Sequence, residues 1–109
     1  MLSLPASAKI FICTQPVNMK QSFEGLGALI QKMFEEPSTS GSFFAFFNRQ
    51  KDRMKVLYWD GDGFAIWYKH LQKGSFRISV LRNKIIDRRE FLMMLEGVEP
   101  KRMQKRFKI

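Results

Sequence analysis

Apolar positions fall into short blocks whose spacing changes along the chain. Lys9–Thr14 (KIFICT) is a brief β-branched run that stops before Pro16, which predicts a strand. Met19, Phe23, Leu26, Ile30 and Met33 then recur at spacings of four, three, four and three residues, which is one face of a helix. Asn18 stands where an N-cap is expected, Gln21 supplies the other half of a capping box, and Pro37 ends the segment. Gly25 and Gly27 each cost about 1 kcal/mol in a helix interior, which is tolerable where a helix lies very close to a sheet. The polar stretch EEPSTSGS (35–42) is a connector.

From residue 43 onward the texture is that of strands. FFAFF (43–47) is followed by a basic loop, NRQKDR (48–53), and then by MKVLYW (54–59), DGDG (60–63) and FAIWYKHL (64–71), which read as a hairpin. Gly61-Asp62 suits a type II′ turn. Counting outward pairs Trp59 with Phe64, Leu57 with Ile66 and Lys55 with Tyr68 on one face, and Tyr58 with Ala65 and Val56 with Trp67 on the other. QKGS (72–75) turns the chain again, and FRISVL (76–81) alternates as a fourth meander strand. Asp87 and Glu90 form a D-x-x-E box opening a short helix, FLMML packs inward, and Gly97 is its stop. The pattern predicts an α+β fold: an antiparallel β-meander of four to five strands, one long helix in the N-terminal half and a short C-terminal helix. A single domain over 1–99 is expected, with a basic tail at 100–109. Both faces of the hairpin are apolar and only two helices cover them, so either the sheet curls or one face associates, as in a homodimer.

Charge sharpens this picture. The 109 residues carry nineteen Lys/Arg against ten Asp/Glu, a net charge of +9. Residues 1–48 hold three of each sign, so the whole excess lies in 49–109, and such asymmetry points to a polyanion, nucleic acid above all. One cysteine and one histidine exclude a disulfide framework and multi-cysteine zinc sites. The longest apolar runs, IFIC and FFAFF, are far below the ~20 residues of a membrane span, and no basic n-region precedes an h-region. No membrane partner is expected, and a cytoplasmic location is.

NMKQSFEGLGALI (18–30), GSFFAFFNRQKDRMKVLYWDGDGFAIWYKHLQKGSFRI (41–78) and FLMMLEG (91–97) closely resemble the Orf-two-like accessory proteins, called TnpB, of IS sixty-six-type insertion sequences. The resemblance covers roughly residues 8–99. It implies a small protein encoded beside a separate DDE-type transposase and needed for transposition, with DNA or transposase binding usually supposed. Family members more often carry Asp where this chain has Asn18, Arg-rich text at Gln50-Lys51, and Trp-Pro at Ile78-Ser79.

Catalytic constellations are lacking in the sequence. Asp60 and Asp62 fail an EF-hand pattern because Phe64 occupies the next ligand position, so a solvated turn is the simpler reading. Asp52, Asp60, Asp62 and Glu24 have no spacing that makes them converge as a two-metal nuclease requires. His70 with Ser75 or Cys13 lacks a third, orienting group, and Cys13 is most simply a core residue. Trp59, Trp67, Tyr58 and Tyr68 are candidate stacking platforms but read first as core. No cofactor is expected. In an up-and-down meander the NRQKDR and LQKGS turns share one end of the sheet, gathering Arg49, Lys51, Arg53, Lys69, Lys73 and Arg77, while DGDG lies at the other. Arg88 and Arg89 in a helix's first turn oppose its dipole unless an anion docks there. In the tail, Lys101, Arg102, Lys105 and Arg106 would share a helical face. Three classes stay open: an accessory protein binding insertion-sequence ends or DNA non-specifically and meeting the element's transposase; a protein adaptor without DNA contact, or an inactive drifted copy; and, without a constellation behind it, an enzyme.

Overall fold

The strand–helix–strand order at the start of the chain folds as a parallel crossover. β1 (Ile10–Ile12) leads into α1 (Phe23–Met33), and β2 (Phe43–Phe47) returns beside β1, pairing Ile10 with Phe43 and Ile12 with Ala45. A parallel return needs a dozen or more residues of crossover, which residues 13–42 supply. β3 (Arg53–Trp59) and β4 (Phe64–His70) follow as antiparallel neighbours. β5 (Ile85–Ile86) adds antiparallel to the other side of β1 and leads into α2 (Arg88–Leu95). The computed structural model describes residues 2–78 and 84–96. Its five strands run in the order β4-β3-β2-β1-β5. The fold is α+β as expected, but the sheet is mixed, not a purely antiparallel meander.

Both sheet faces are covered from within. α1 lays Leu26 and Ile30 over Phe11, Phe44, Phe46 and Leu57. On the opposite face Ile10, Ile12, Phe43, Phe47, Met54 and Val56 pack with Phe76, Ile78, Phe91 and Met94. β2 is the middle strand, buried on both sides, which is why FFAFF reads as an unbroken apolar run instead of an alternation.

The hairpin follows the sequence expectation residue for residue, with all five pairs in the register counted outward from the turn. Gly61 takes φ +80°, the positive value that a type II′ turn places first, and the Asp60 N–H donates to the Gly63 carbonyl at 2.7 Å. Asp87 caps α2, its carboxylate accepting from the Glu90 N–H at 2.9 Å.

Several expectations need correction. The N-terminal helix is not long: it spans 11 residues and its N-cap position is Ser22, not Asn18. Asn18 closes a turn instead, its side chain accepting from the Lys20 N–H at 2.8 Å and its carbonyl from the Gln21 N–H at 3.0 Å. Such local bonding competes with helix. Phe23, placed on the buried face by spacing, is 47% exposed. Close approach to the sheet does not account for the two helix glycines: a Cβ at Gly27 would meet open space, and one at Gly25 only the Gln21 side chain. Phe76 to Ile78 do not extend the meander as a strand. They turn across the sheet and bury Phe76 and Ile78 in the core opposite α1, while 79–81 lie outside the described residues. The fifth strand is Ile85–Ile86, at the opposite edge. This packing leaves Met54 and Val56 of the hairpin centre fully buried, while on the other face α1 leaves Leu57 1% exposed.

Candidate nucleic-acid interface

The turn between β2 and β3 is built around Asn48. Its side-chain oxygen accepts from the backbone N–H groups of Asp52 and Arg53 at 3.1 and 3.0 Å, and its amide donates to the Asp52 carboxylate at 2.6 Å. The same amide also donates to Gln50 Oε1 at 3.3 Å; with one side chain serving four groups, the turn has little freedom, and Lys51 is held at φ +59°. The segment after β4 closes on this turn. Leu71 donates its N–H to the Asp52 carbonyl, and Phe76 donates to the Lys51 carbonyl, each at 2.7 Å. The 48–53 turn and the 69–77 segment therefore share one pole of the sheet, while Asp60 and Asp62 sit exposed in the β3–β4 turn at the other.

Six cations gather at this basic pole. Arg49, Arg53 and Lys73 are exposed, and Lys51, Lys69 and Arg77 are half-buried. Arg53 stands across from His70 and Lys69 across from Met54, so the charges project to both faces of the sheet. Arg77 is the most constrained, with its Nε buried and unpartnered among the described residues. Asp52 is the one acid of these two segments. Hydrogen bonding from Asn48 is the chief reason that its carboxyl is held below the ordinary value of 3.8, with its own backbone N–H and the charges of His70 and Arg53 assisting. His70 Nε2 lies 3.7 Å from that carboxylate. A cleft of about 630 Å³ opens between Pro16–Met19 and the 48–53 turn, and Arg49 and Arg53 line it. The Val17 N–H, donating to the Phe47 carbonyl at 2.8 Å, fixes its nearer wall.

The other sequence candidates are not brought to this pole. Ile86, just before α2, pairs with Ile10 at the end of β1 that also pairs with Phe43. The start of α2 thus lies toward the opposite end of the sheet, beyond β1. Arg88 and Arg89 are exposed there, and Arg88 donates to the Leu4 carbonyl at 3.4 Å. Lys101, Arg102, Lys105 and Arg106 lie outside the described residues.

Cys13 is buried beside Met33, burial pushes its thiol pKa up, and its Sγ donates to the Gln15 carbonyl at 3.4 Å. No three of His, Cys, Asp and Glu come together as a metal cage among the described residues. No described helix is long and apolar enough to cross a membrane.

Sequence reasoning missed Asn48, Lys55, Tyr68 and His70 as parts of the pole. Tyr58 and Trp67 do pack against the core, but Tyr68 is 46% exposed, with the Lys55 ammonium 5.0 Å from its ring centre. The Lys55–Tyr68 pairing was readable from the hairpin count. The exposure was not, because it depends on how far α1 reaches over β4.

Among known proteins, the chain is 27% identical over 100 residues to the uncharacterized protein y4jC of Sinorhizobium fredii, covering 90% of this chain and 86% of that one. It is 28% identical over 76 residues to y4hO of the same organism, also uncharacterized, covering 70% of this chain and 66% of the other. No solved structure matches it. The family model described as IS66 Orf2 like protein matches residues 8–105, nearly the whole chain, so the protein belongs to that family, whose members imply an accessory role in an insertion sequence.

Proposed function

We propose that the protein serves transposition of its insertion sequence by binding DNA through the basic pole, and that it brings the bound DNA to the element's transposase. The supporting observation is the pair of 2.7 Å backbone hydrogen bonds that clamps the 69–77 segment onto the 48–53 turn. That closure sets six cations against a single, already hydrogen-bonded carboxylate. Phosphate is the group such a surface recognises most strongly, through released counterions and charge-assisted hydrogen bonds. The acidic turn at the far end repels the same backbone and gives the complex a direction. The role is binding, not catalysis, and the backbone contacts carry no sequence preference of their own.

The test is a salt titration of DNA affinity. Replacing Lys51, Arg53 and Lys73 together by Gln should weaken binding to all sequences and flatten log K against log salt by about 0.7–0.9 per lost phosphate contact. Reversing Asp60 and Asp62 to Lys should leave that slope nearly unchanged. An unaltered slope in the triple variant, with the fold intact by circular dichroism, rules out this pole as the DNA site. A protein adaptor without DNA contact would instead retain transposase in a pull-down in the absence of DNA and show no measurable DNA affinity.

A further inference from the structure

At the basic pole, the α1 face of the sheet edge carries aromatic rings as well as cations. β4 is an edge strand, and among the described residues only β3 pairs with it. Its residues Phe64, Ile66, Tyr68 and His70 share the α1 face. The α1 core reaches Ile66, which packs with Leu26, Ile30 and Leu57. Beyond it, toward the pole, Tyr68 is 46% exposed and the His70 side chain 43% exposed. A large ring left half in water is the informative kind of exposure; Phe64, on the same strand and face, is also exposed at 38%, but it lies at the end that carries Asp60 and Asp62, which a phosphate backbone avoids.

Each of these two rings faces a cation across the ladder: Lys55 opposite Tyr68, and Arg53 opposite His70. Arg53 also reaches diagonally, its Nη1 donating to the Tyr68 hydroxyl at 3.2 Å. Lys55 covers one side of the Tyr68 ring at 5.0 Å and is itself anchored by donating to the Gln21 carbonyl at 2.8 Å. The ring is thus gripped at its hydroxyl and on the side facing β3. Its other side looks over the open edge of the sheet, where the described residues place no further strand. The ring is pre-oriented, so little side-chain entropy is lost when something flat stacks on it.

Phosphates alone would need only the cations. In a duplex the bases are stacked on one another and their faces are closed to a side chain, so exposed rings add nothing to duplex binding. Unpaired bases offer those faces. Tyr68 and His70 are two residues apart, about 7 Å along the strand, roughly twice the 3.4 Å rise of stacked bases. A strand seated on both rings is therefore stretched, with one base per ring and its phosphates toward Arg53 and Lys55. We propose that Tyr68 and His70, flanked by Arg53 and Lys55, form a binding site for single-stranded DNA at the sheet edge. This rests on the DNA-binding reading of the pole and names the form of DNA that the pole takes.

The experiment compares three fluorescently labelled ligands by anisotropy at one salt concentration. They are an oligothymidine of about 12 nucleotides, within the usual single-strand site sizes, an abasic phosphodiester of equal length, and a duplex of equal length. The wild-type chain should bind oligothymidine about tenfold or more tighter than the abasic strand, the effect of stacking one or two bases. Replacing both rings, Tyr68→Leu with His70→Ala, should reduce oligothymidine binding to near the abasic level, Tyr68→Leu alone should remove the part due to one base, and both changes should leave duplex affinity unchanged. Tyr68→Phe keeps the ring and loses only the hydroxyl, so it should stay within about threefold of wild type, since stacking supplies the preference. Tyr68 and His70 are both nearly half exposed, so none of these variants should disturb the fold, and thermal unfolding checks this. Equal affinity for oligothymidine and the abasic strand, or full oligothymidine binding by Tyr68→Leu, overturns the single-strand site while leaving a phosphate-binding pole in place. Failure of all three ligands to bind overturns the DNA reading and this inference with it.

Discussion

Lys51 offers a way to separate what the pole costs the fold from what it does for binding. Its φ of +59° puts a β-carbon-bearing residue in the left-handed region, alone among the described non-glycine residues. That conformation costs an L-residue roughly 1–2 kcal/mol. Glycine has no such penalty but surrenders roughly 0.5–1 kcal/mol more chain entropy on folding. Lys51→Gly should therefore stabilise the domain by about 0.5–1 kcal/mol, since the carbonyl that accepts from Phe76 belongs to the backbone and survives the change. For a domain of this size that is a Tm rise of about 2–8 °C. Removing a cation beside Arg49, Arg53 and Lys73 also relieves repulsion, so the proper reference is Lys51→Ala, which loses the same charge and keeps the strained backbone. The stability difference between the Gly and Ala variants isolates the strain. In the DNA titration, both should lower the salt slope by about 0.7–0.9 if, as proposed, Lys51 contacts one phosphate. Together these results would mean that a less strained residue is rejected there because the cation is needed. Equal unfolding midpoints for the two variants would refute the strain argument. An undiminished slope in both would refute the contact.

Three other outcomes follow from the packing and charges. Phe76→Ala, at a side chain only 2% exposed beneath the sheet, should cost about 3–5 kcal/mol in denaturant unfolding; a loss below 1 kcal/mol would mean that the 76–78 segment does not cover that face. Asp87→Ala removes the cap on the Glu90 N–H and should cost about 0.5–2 kcal/mol, with Asp87→Asn largely restoring it; equal losses from both would exclude capping as the cause. Asp52 has a depressed pKa in the folded chain, so its stabilising contribution is full above the ordinary 3.8 and disappears as the pH falls through the lowered value. The Tm gap between wild type and Asp52→Ala should accordingly close as the pH falls below about 4, and a gap that widens between about pH 4 and about pH 2 would contradict the sign.

Local signals in the sequence were reliable where the structure they encode is local. The β3–β4 register follows from one turn of fixed length, and a one-residue slip would have carried Val56 and Leu57 to the wrong faces, so pattern and turn agree on a single answer. Asp87 caps α2 through a bond that spans three residues. Asn18 fails by the same logic. The residues of a capping box can also close a turn, and Asn18 used its oxygens for Lys20 and Gln21 before the helix began. The parallel pairing of β1 with β2 was legible but unused: a strand, a helix and a strand in succession are the signature of a crossover unit. The destination of FRISVL was not legible. Its alternation is the same whether it hydrogen-bonds to a sheet edge or lies across a sheet face, and what decides between them is the unfilled face opposite α1. That is a property of the whole assembly.

The same distinction governs the site. The sequence predicts the basic pole on the premise that FRISVL continues the meander; Phe76 to Ile78 do not continue it, yet the two basic segments do meet. They meet because β4 must end beside the residue where the 48–53 turn runs into β3: Arg53 pairs with His70, so residue 71 emerges beside Asp52. The hairpin register alone sets Lys69 beside the 48–53 turn. Lys73 and Arg77 depend on the path that follows, held by the Phe76 N–H donating to the Lys51 carbonyl, and Arg77 is the cation whose Nε ends buried. The contribution of Tyr68 belongs to the opposite class, since the hairpin sets its partner Lys55 but the reach of an 11-residue α1 sets its exposure. A longer helix beginning at Asn18, as the spacing alone suggested, would have brought another turn of chain toward this end of β4. The local turn that Asn18 makes instead delays the helix to Phe23 and presents the Gln21 carbonyl to Lys55. The departure from simple helix patterning and the opening of the aromatic edge thus trace to the same few residues before α1.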